Sequence, residues 1–202
     1  MLLFWAAPIF AEMNSPKLFM ILLGASPPGR HTEQHDVFFG IAENLAALKD
    51  DILAFWPGDN KIHVDGWREV TRVDGFGIEV VPKSTVDSQP NSSHLFFLNL
   101  GGYKKGEFEE FHYKLLTVAP TQGEAIQKAK QTAFYKHTGF KGAPSHVDDK
   151  FGVDVDDVVR VMDILSPEMK EKYSIRISES EATKEDEIYL GYFKLNNLPF
   201  SS

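Results

Sequence analysis

The chain has 202 residues, a formal net charge of −8 and no cysteine. Its length suits one large domain or two small ones, and a hydrophobic fraction of 43% is enough to build a core. The missing Cys excludes disulfides, thiol nucleophiles and Cys-ligated zinc, and the acidic charge without a basic run argues against a nucleic-acid partner.

Residues 1–16 are interpreted as an N-terminal extension. The segment is apolar, but no Lys or Arg precedes Lys17, and the apolar run is shorter than the roughly 20 residues that span a bilayer. A mis-assigned start upstream of Met13 is the favoured interpretation, and a weak cleavage-like pattern around Ala7 and Ala11 leaves a secreted or periplasmic protein as the alternative. No other segment is apolar enough to cross a membrane, so we expect a cytoplasmic protein without a membrane partner.

The next segment, residues 17–82, predicts two strands, a helix and two further strands. The helix is expected because apolar residues recur at spacings of 3, 4 and 3, at Leu45, Leu48, Ile52 and Phe55. Asp74-Gly75 predicts a tight turn between the last two strands. The predicted strands are Leu18–Leu23, His35–Ala42, Ile62–Thr71 and Gly75–Val81.

Residues 83–93, rich in Ser, Pro and Asn, are predicted to be a linker to a second unit over residues 94–165. In that unit Thr121 and Glu124 form a capping box, and Ala125, Ala129 and Ala133 line one helix face. Residues 166–202 predict a C-terminal extension with no counterpart in the first unit. It should hold a helix capped by Ser166 and strands at Ser174–Ser178 and Glu187–Leu195, around a charged loop expected to be solvated.

The two units share residues at matching positions. The number of residues that separates matched positions, the offset, is 79 in the helix. It is 83 where His63-Val64-Asp65 matches His146-Val147-Asp148. At an offset of 77 the pairs are Leu18 with Leu95, Phe19 with Phe96, Leu23 with Leu100, Gly24 with Gly101, Gly29 with Gly106, Glu33 with Glu110 and His35 with His112. Because the offset changes where loops are expected, the pattern indicates a tandem duplication. We therefore predict an α+β fold of two ββαββ-like units with pseudo-two-fold symmetry, plus a C-terminal strand extension.

The shared polar residues are the candidate functional residues. Residues two apart face the same side of a strand, so Glu-x-His and His-x-Asp can each present two side chains together. Imidazole and carboxylate suit a divalent metal such as zinc, manganese or iron, or acid–base catalysis. The catalytic candidates are Glu33, His35, His63, Asp65, Glu110, His112, His146 and Asp148, and the metal candidates are His35, His63, Asp65, His112, His146 and Asp148.

A structural interpretation of the same residues stands beside the functional one. A His and an Asp near strand ends often hydrogen-bond loop backbone, and each copy of a duplicated unit needs such braces in order to fold. The structural brace is the favoured interpretation from sequence, with a metal or catalytic site and a plain ligand site as the alternatives.

Three segments of the first unit resemble the domain-of-unknown-function family 1543. They read LFMILLG, PPGRHTEQHDVFFGIA and IHVDGWREVTRVDGFGIEVV. The resemblance extends over most of residues 17–165, and it implies one or two tandem copies in a bacterial protein but no established activity. In the second copy Val73-Asp74-Gly75-Phe76 is replaced by Val153-Asp154-Val155-Asp156, so the turn there is expected to differ.

Two functions follow from these observations. The first is a non-catalytic module that binds a small ligand or a protein in a groove between the two halves. A second copy of the chain, in a homo-oligomer, is a further candidate partner. The alternative is a metal-dependent or acid–base enzyme that uses the paired Glu-x-His and His-x-Asp residues. The sequence does not determine a cofactor, and a divalent metal is the candidate that these residues offer.

Overall fold

The computed structural model describes residues 15–56, 58, 61–85, 92–103, 107–137, 154–181 and 184–199. The strands are β1 (Lys17–Ala25), β2 (Gln34–Ala42), β3 (His63–Glu69), β4 (Arg72–Val73), β5 (Phe76–Pro82), β6 (His94–Tyr103), β7 (Glu110–Ala119), β8 (Asp154–Arg160), β9 (Tyr173–Glu179) and β10 (Tyr189–Lys194). The helices are α1 (Lys49–Phe55), α2 (Gln122–His137), α3 (Val161–Ile164) and α4 (Pro167–Lys172), with 3₁₀ turns at Leu45–Leu48, Lys83–Thr85 and Leu195–Asn197.

The chain divides into two compact units. Unit 1 comprises residues 1–71, 79–81 and 186–202, and unit 2 comprises residues 72–78 and 82–185. Both units combine antiparallel sheet with helix, so the α+β class predicted from the sequence is confirmed.

Unit 1 is built on a four-stranded sheet in the order β10-β3-β1-β2. Alternate residues of β1 are buried on one face, which the helical segment covers. Leu48 packs against Gly40 of β2, where an added Cβ would lie 2.7 Å from the Leu48 Cδ2 atom and would force that side chain to shift. Of the four residues in the predicted helix face, Phe55 departs from the expectation because it is 44% exposed and contacts Phe38 edge-on.

The last strand of unit 1 comes from the C-terminal segment. β10 pairs antiparallel with β3 and forms one edge of the sheet, with Tyr189 opposite Trp67 and Lys194 opposite His63. The charged loop before it is also more than a solvated segment. Asp186 accepts hydrogen bonds from the Thr71 backbone N–H at 2.9 Å and from its hydroxyl at 2.5 Å.

Unit 2 contains a three-stranded sheet in the order β7-β6-β8, and a further sheet of the chain has the order β4-β5-β9. The predicted capping box is present, because the Thr121 Oγ1 accepts from the Glu124 backbone N–H and donates to its carboxylate. The Ala125 and Ala129 face of α2 packs on the sheet as expected. The side chain of Ala133 lies outside the described residues.

The hairpin between β4 and β5 turns through Asp74 and Gly75, with φ angles of +56° and +81°. Both values lie in the left-handed region that type I′ turns require. The predicted turn is therefore present, but the strand that follows it pairs with β4 and β9 rather than with β3. The sheet-forming pattern of unit 1 is consequently ββαβ, with β10 added, instead of ββαββ.

The two larger sheets have the same pairing register. Leu18 lies opposite Ile41 and Gly24 opposite His35 in unit 1, and the residues 77 positions later pair in the same way in unit 2. A bulge follows in both sheets, where Asp65 of β3 or Asp156 of β8 is left without a direct partner on the central strand. Residues 154–156, which sequence alignment had matched to a turn, are thus the start of strand β8 and correspond to residues 63–65.

Candidate metal centre

Four side chains converge on the face of the unit 1 sheet that lies opposite the helix, and we call them the unit 1 cluster: Glu33, His35, His63 and Asp65. Glu33 directly precedes β2, and His35 is the second residue of that strand. The His35 Nε2 atom lies 3.1 Å from Asp65 Oδ2 and 3.6 Å from Glu33 Oε2. The Glu-x-His spacing therefore brings both side chains to one site, as the two-residue period of a strand dictates.

His63 closes the other side of the cluster. Its residue is only 5% exposed, and its Nδ1 lies 3.2 Å from the Lys61 carbonyl oxygen. A carbonyl can only accept a hydrogen bond, so this contact is a hydrogen bond in which Nδ1–H is the donor. The Nε2 atom of the same ring faces Glu33 Oε1 at 3.0 Å and Asp65 Oδ1 at 3.2 Å.

Gly24 forms the floor of the cluster. The strand register places it on β1 directly between His35 on β2 and His63 on β3. A Cβ at this position would lie 2.6 Å from His63 Nε2 and would also clash with Asp65 Oδ2. Real Cβ atoms do not approach other atoms this closely, so the imidazole and the carboxylate occupy space that only a glycine leaves open.

The bulge in β3 places the Asp65 carboxylate between the two imidazoles. Its Oδ2 atom is buried and makes no hydrogen bond, although His35 Nε2 is 3.1 Å away. A protonated His35 would form an ion pair with this oxygen, and a cation bound between the two atoms would satisfy both of them. A buried oxygen of this kind costs free energy unless a cation or a donor satisfies it.

The spacing of these atoms resembles the edges of a metal coordination shell. Two ligands that are each about 2.1 Å from a tetrahedral ion are about 3.4 Å apart. The contacts of the unit 1 cluster range from 3.0 to 3.6 Å. Ligand atoms of Glu33, His35 and Asp65 all lie within 4.8 Å of one another. His63 joins them through the opposite oxygens of the same two carboxylates.

A reduced form of this arrangement is present in unit 2, and we call it the unit 2 cluster: Glu110, His112 and Asp156. The His112 Nε2 atom lies 3.3 Å from Asp156 Oδ2 and 4.0 Å from Glu110 Oε2. Gly101 lies opposite His112 as Gly24 lies opposite His35, and a Cβ there would clash with the Asp156 carboxylate. The predicted residues His146 and Asp148 lie outside the described residues.

Two contributors to these clusters were missed by sequence reasoning. Asp156, at an offset of 91 from Asp65, was overlooked because His146-Val147-Asp148 repeats the letters of residues 63–65. The alternation of Asp and Val from residue 154 onward, which suits a strand beside β6, was the available signal. The repeat gave no indication of Tyr192, because the C-terminal segment that forms β10 has no counterpart in the sequence of the first unit. The Tyr192 ring lies 4.3 Å from the His63 ring.

Comparison with known proteins supports the resemblance noted in the sequence for one segment. Residues 30–80 match the family model of the Domain of Unknown Function DUF1543. All four residues of the unit 1 cluster lie inside this segment. No functionally curated protein matches the chain.

The fold is similar to that of a solved structure, a protein Il1583 from Idiomarina loihiensis. The two are 21% identical with a TM-score of 0.52, and the match covers 89% of this chain and 97% of the other. At this identity the likeness supports the architecture alone. Within the part of the chain that the structure describes, none of the helices is both long and apolar enough to traverse a bilayer.

Proposed function

We propose that this protein binds a divalent metal ion in unit 1 through Glu33, His35, His63 and Asp65. The observation that carries the proposal is the buried Asp65 Oδ2, which has no hydrogen bond and faces an imidazole nitrogen at 3.1 Å. All four side chains belong to unit 1, so the centre requires no groove between the two halves.

A metal accounts for these contacts better than protons do. If both imidazoles were protonated on Nε2, each N–H would have to be shared between two carboxylate oxygens in a bifurcated hydrogen bond, which is weaker than a direct one. Each imidazole nitrogen faces both carboxylates. A divalent ion held by Glu33, His35 and Asp65, whose ligand atoms lie within 4.8 Å of one another, would neutralise the two carboxylates. His63 contacts the other oxygen of each carboxylate and completes the set when those side chains turn toward the ion. The His63 Nδ1–H bond to a backbone carbonyl is also the outer contact that metal-bound histidines usually make.

The donor set favours a borderline ion, and zinc is the reference case. Two imidazoles and two carboxylates suit zinc, manganese or iron better than calcium or magnesium, which take oxygen ligands. The side chains of Glu33 and His35 are 41% and 43% exposed, so one side of the cluster is open to solvent. Centres with an open position bind water or a ligand oxygen, whereas structural zinc sites are closed. The proposed centre is therefore suited to ligand binding or water activation.

We also propose that the two units arose by tandem duplication. The register match at an offset of 77 and the shared bulge support common descent. Asp154 occupies the register position of His63, so among the described residues the unit 2 set holds one imidazole. We propose that unit 2 carries a weaker centre with a preference for harder ions such as manganese.

The direct test is metal content and metal affinity. Protein purified without chelator is analysed for bound metals, and chelator-treated protein is titrated calorimetrically with Zn²⁺ and Mn²⁺. We expect one tight Zn²⁺ site and a rise in the thermal midpoint on metal addition, because a ligand that binds only the folded state stabilises it.

Matched variants assign the site. His63→Ala should remove tight Zn²⁺ binding, whereas His31→Ala, an exposed histidine in the loop before Glu33, should leave it unchanged. Zn²⁺ binding that is absent in the wild type, or equal in both variants, would overturn the proposal and leave the cluster as a structural brace.

A further inference from the structure

Tyr192 lies beside the proposed centre although it is far from it in sequence. Its ring centroid is 4.3 Å from that of His63, with an angle of 33° between the planes. His63 is 5% exposed and Tyr192 is 65% exposed, so the tyrosine forms the outer layer on this imidazole. An aromatic ring in this position restricts how the imidazole can tilt.

An irregularity in β10 places Tyr192 there. Leu190 pairs with Gly66 and Phe193 with Val64, so Gly191 and Tyr192 together lie opposite the single residue Asp65. Gly191 has φ of +155°, which a residue with a side chain rarely adopts. Asp65 is thus the point at which bulges on both sides of β3 coincide, and the second bulge directs Tyr192 toward the cluster.

From this geometry we infer that Tyr192 is a positioning residue, which holds the His63 imidazole in the orientation that metal binding requires. The inference rests on the proposed metal centre. The phenol ring packs on an imidazole that loses electron density when it binds a cation, so the contact stabilises the metal-bound form more than the free form. Two interactions then orient His63, the Lys61 carbonyl at Nδ1 and the Tyr192 ring on its face.

The same strand offers a matched control. Tyr189 stacks on Trp67 with centroids 4.2 Å apart and planes at 14°. Tyr189→Ala therefore removes a comparable aromatic contact from β10 without touching His63. The two alanine variants separate loss of the strand's packing from loss of the His63 contact.

The experiment measures Zn²⁺ affinity and the state of the His63 ring. Tyr192→Ala should weaken Zn²⁺ binding by about threefold to tenfold, the range for one aromatic contact. Tyr192→Phe should restore wild-type affinity, and Tyr189→Ala should leave it unchanged even if it lowers the thermal midpoint. Long-range ¹H–¹⁵N spectra of the metal-free protein should show a single Nδ1–H tautomer of His63 in the wild type and Tyr192→Phe, and a mixture in Tyr192→Ala.

The outcomes distinguish the two proposals. If the wild type binds Zn²⁺ and Tyr192→Ala binds it equally well, the role of Tyr192 is overturned while the centre stands. If the wild type binds no metal, the centre fails, and the His63 tautomer alone decides whether Tyr192 orients the ring. An unchanged tautomer in Tyr192→Ala would then reject the positioning role as well.

Discussion

The unit 1 and unit 2 clusters are built on the same sheet register but differ in how closely their side chains meet. In unit 1 two imidazoles share two carboxylates at 3.0–3.6 Å, and one imidazole is almost fully buried. In the described part of unit 2, the His112 imidazole lies 3.3 and 4.0 Å from two exposed carboxylates. Both clusters have a glycine on the central strand and an aspartate at the bulge, so these features come with the shared sheet register. The second histidine, His63, is specific to the unit 1 cluster as described.

The largest expected effect comes from converting one cluster into the other. His63→Asp gives unit 1 the residue that unit 2 has at the same register position, and we expect its Zn²⁺ affinity to fall on the order of 100-fold, since even changes in groups that support metal ligands cost 10- to 100-fold. Calorimetric titration measures the change. The reciprocal Asp154→His should strengthen Zn²⁺ binding by unit 2. If His63→Asp retains wild-type affinity, the difference between the clusters has no bearing on metal binding.

Substitution of the floor glycines should have the next largest effect. Gly24→Ala inserts a Cβ 2.6 Å from His63 Nε2, so we expect at least about tenfold weaker Zn²⁺ binding, the lower end for a displaced metal-site group. Gly101→Ala should affect only the weaker site of unit 2. Gly123→Ala is the control, because no atom lies within 4 Å of its added Cβ and the change should stabilise helix α2. A Gly24→Ala protein that binds Zn²⁺ normally would contradict the described packing.

Each unit also has an aspartate whose carboxylate accepts hydrogen bonds from a threonine hydroxyl and a backbone N–H. We expect the two aspartates to contribute similar amounts to the free energy of unfolding. Asp186 accepts from the hydroxyl and backbone N–H of Thr71 in unit 1. Asp74 accepts from the Thr117 hydroxyl and the Val118 N–H in unit 2. Either change to alanine should lower the free energy of unfolding by about 1–3 kcal/mol, the usual cost of leaving buried donors unpaired. Urea denaturation measures it, and two neutral variants would show that these contacts are not maintained in solution.

The smallest expected effect is a pH dependence confined to unit 2. Burial, followed by the charge of Arg160, lowers the pKa of His94 below its ordinary value of 6.5. The unfolded chain therefore binds the proton more readily than the folded one, so stability should fall as the pH drops below about 6.5 and toward the folded-state pKa. His94→Gln should flatten this part of the profile. Thermal midpoints measured between pH 5 and 8 test it, and an unchanged acid slope would assign the effect to other groups.

The sequence predicted the first half of the architecture more completely than the second. The residues matched at an offset of 77 pair in the same way in both sheets. These pairings could be predicted because β1 with β2, and β6 with β7, are consecutive strands that pair with each other. The third strand of each sheet follows a connection of different length, and the pairing register equates Asp156 with Asp65. Asp148, which the matching letters indicated, lies outside the described residues. Glu33, His35 and Asp65 could be grouped from strand periodicity, whereas the role of Gly24 depended on a register that periodicity does not fix.

Tyr192 illustrates a different limit. Nothing in residues 186–202 repeats an earlier segment, and pairing with β3 is a non-local contact that short-range patterns do not encode. The residues of β10 are exposed or only half-buried, which is compatible with an edge strand of any sheet in the chain. Only the described pairing identifies the edge that it occupies.

The pairing of β3 with β10 has a consequence for the order of assembly. β3 is synthesised before every residue of β6, β7 and β8, and its edge strand follows all of them. A nascent chain therefore holds an open sheet edge next to His63 until translation of unit 2 is complete. Unpaired edges of this kind recruit other strands, so we expect the chain to be more prone to aggregation before β10 is added than after it.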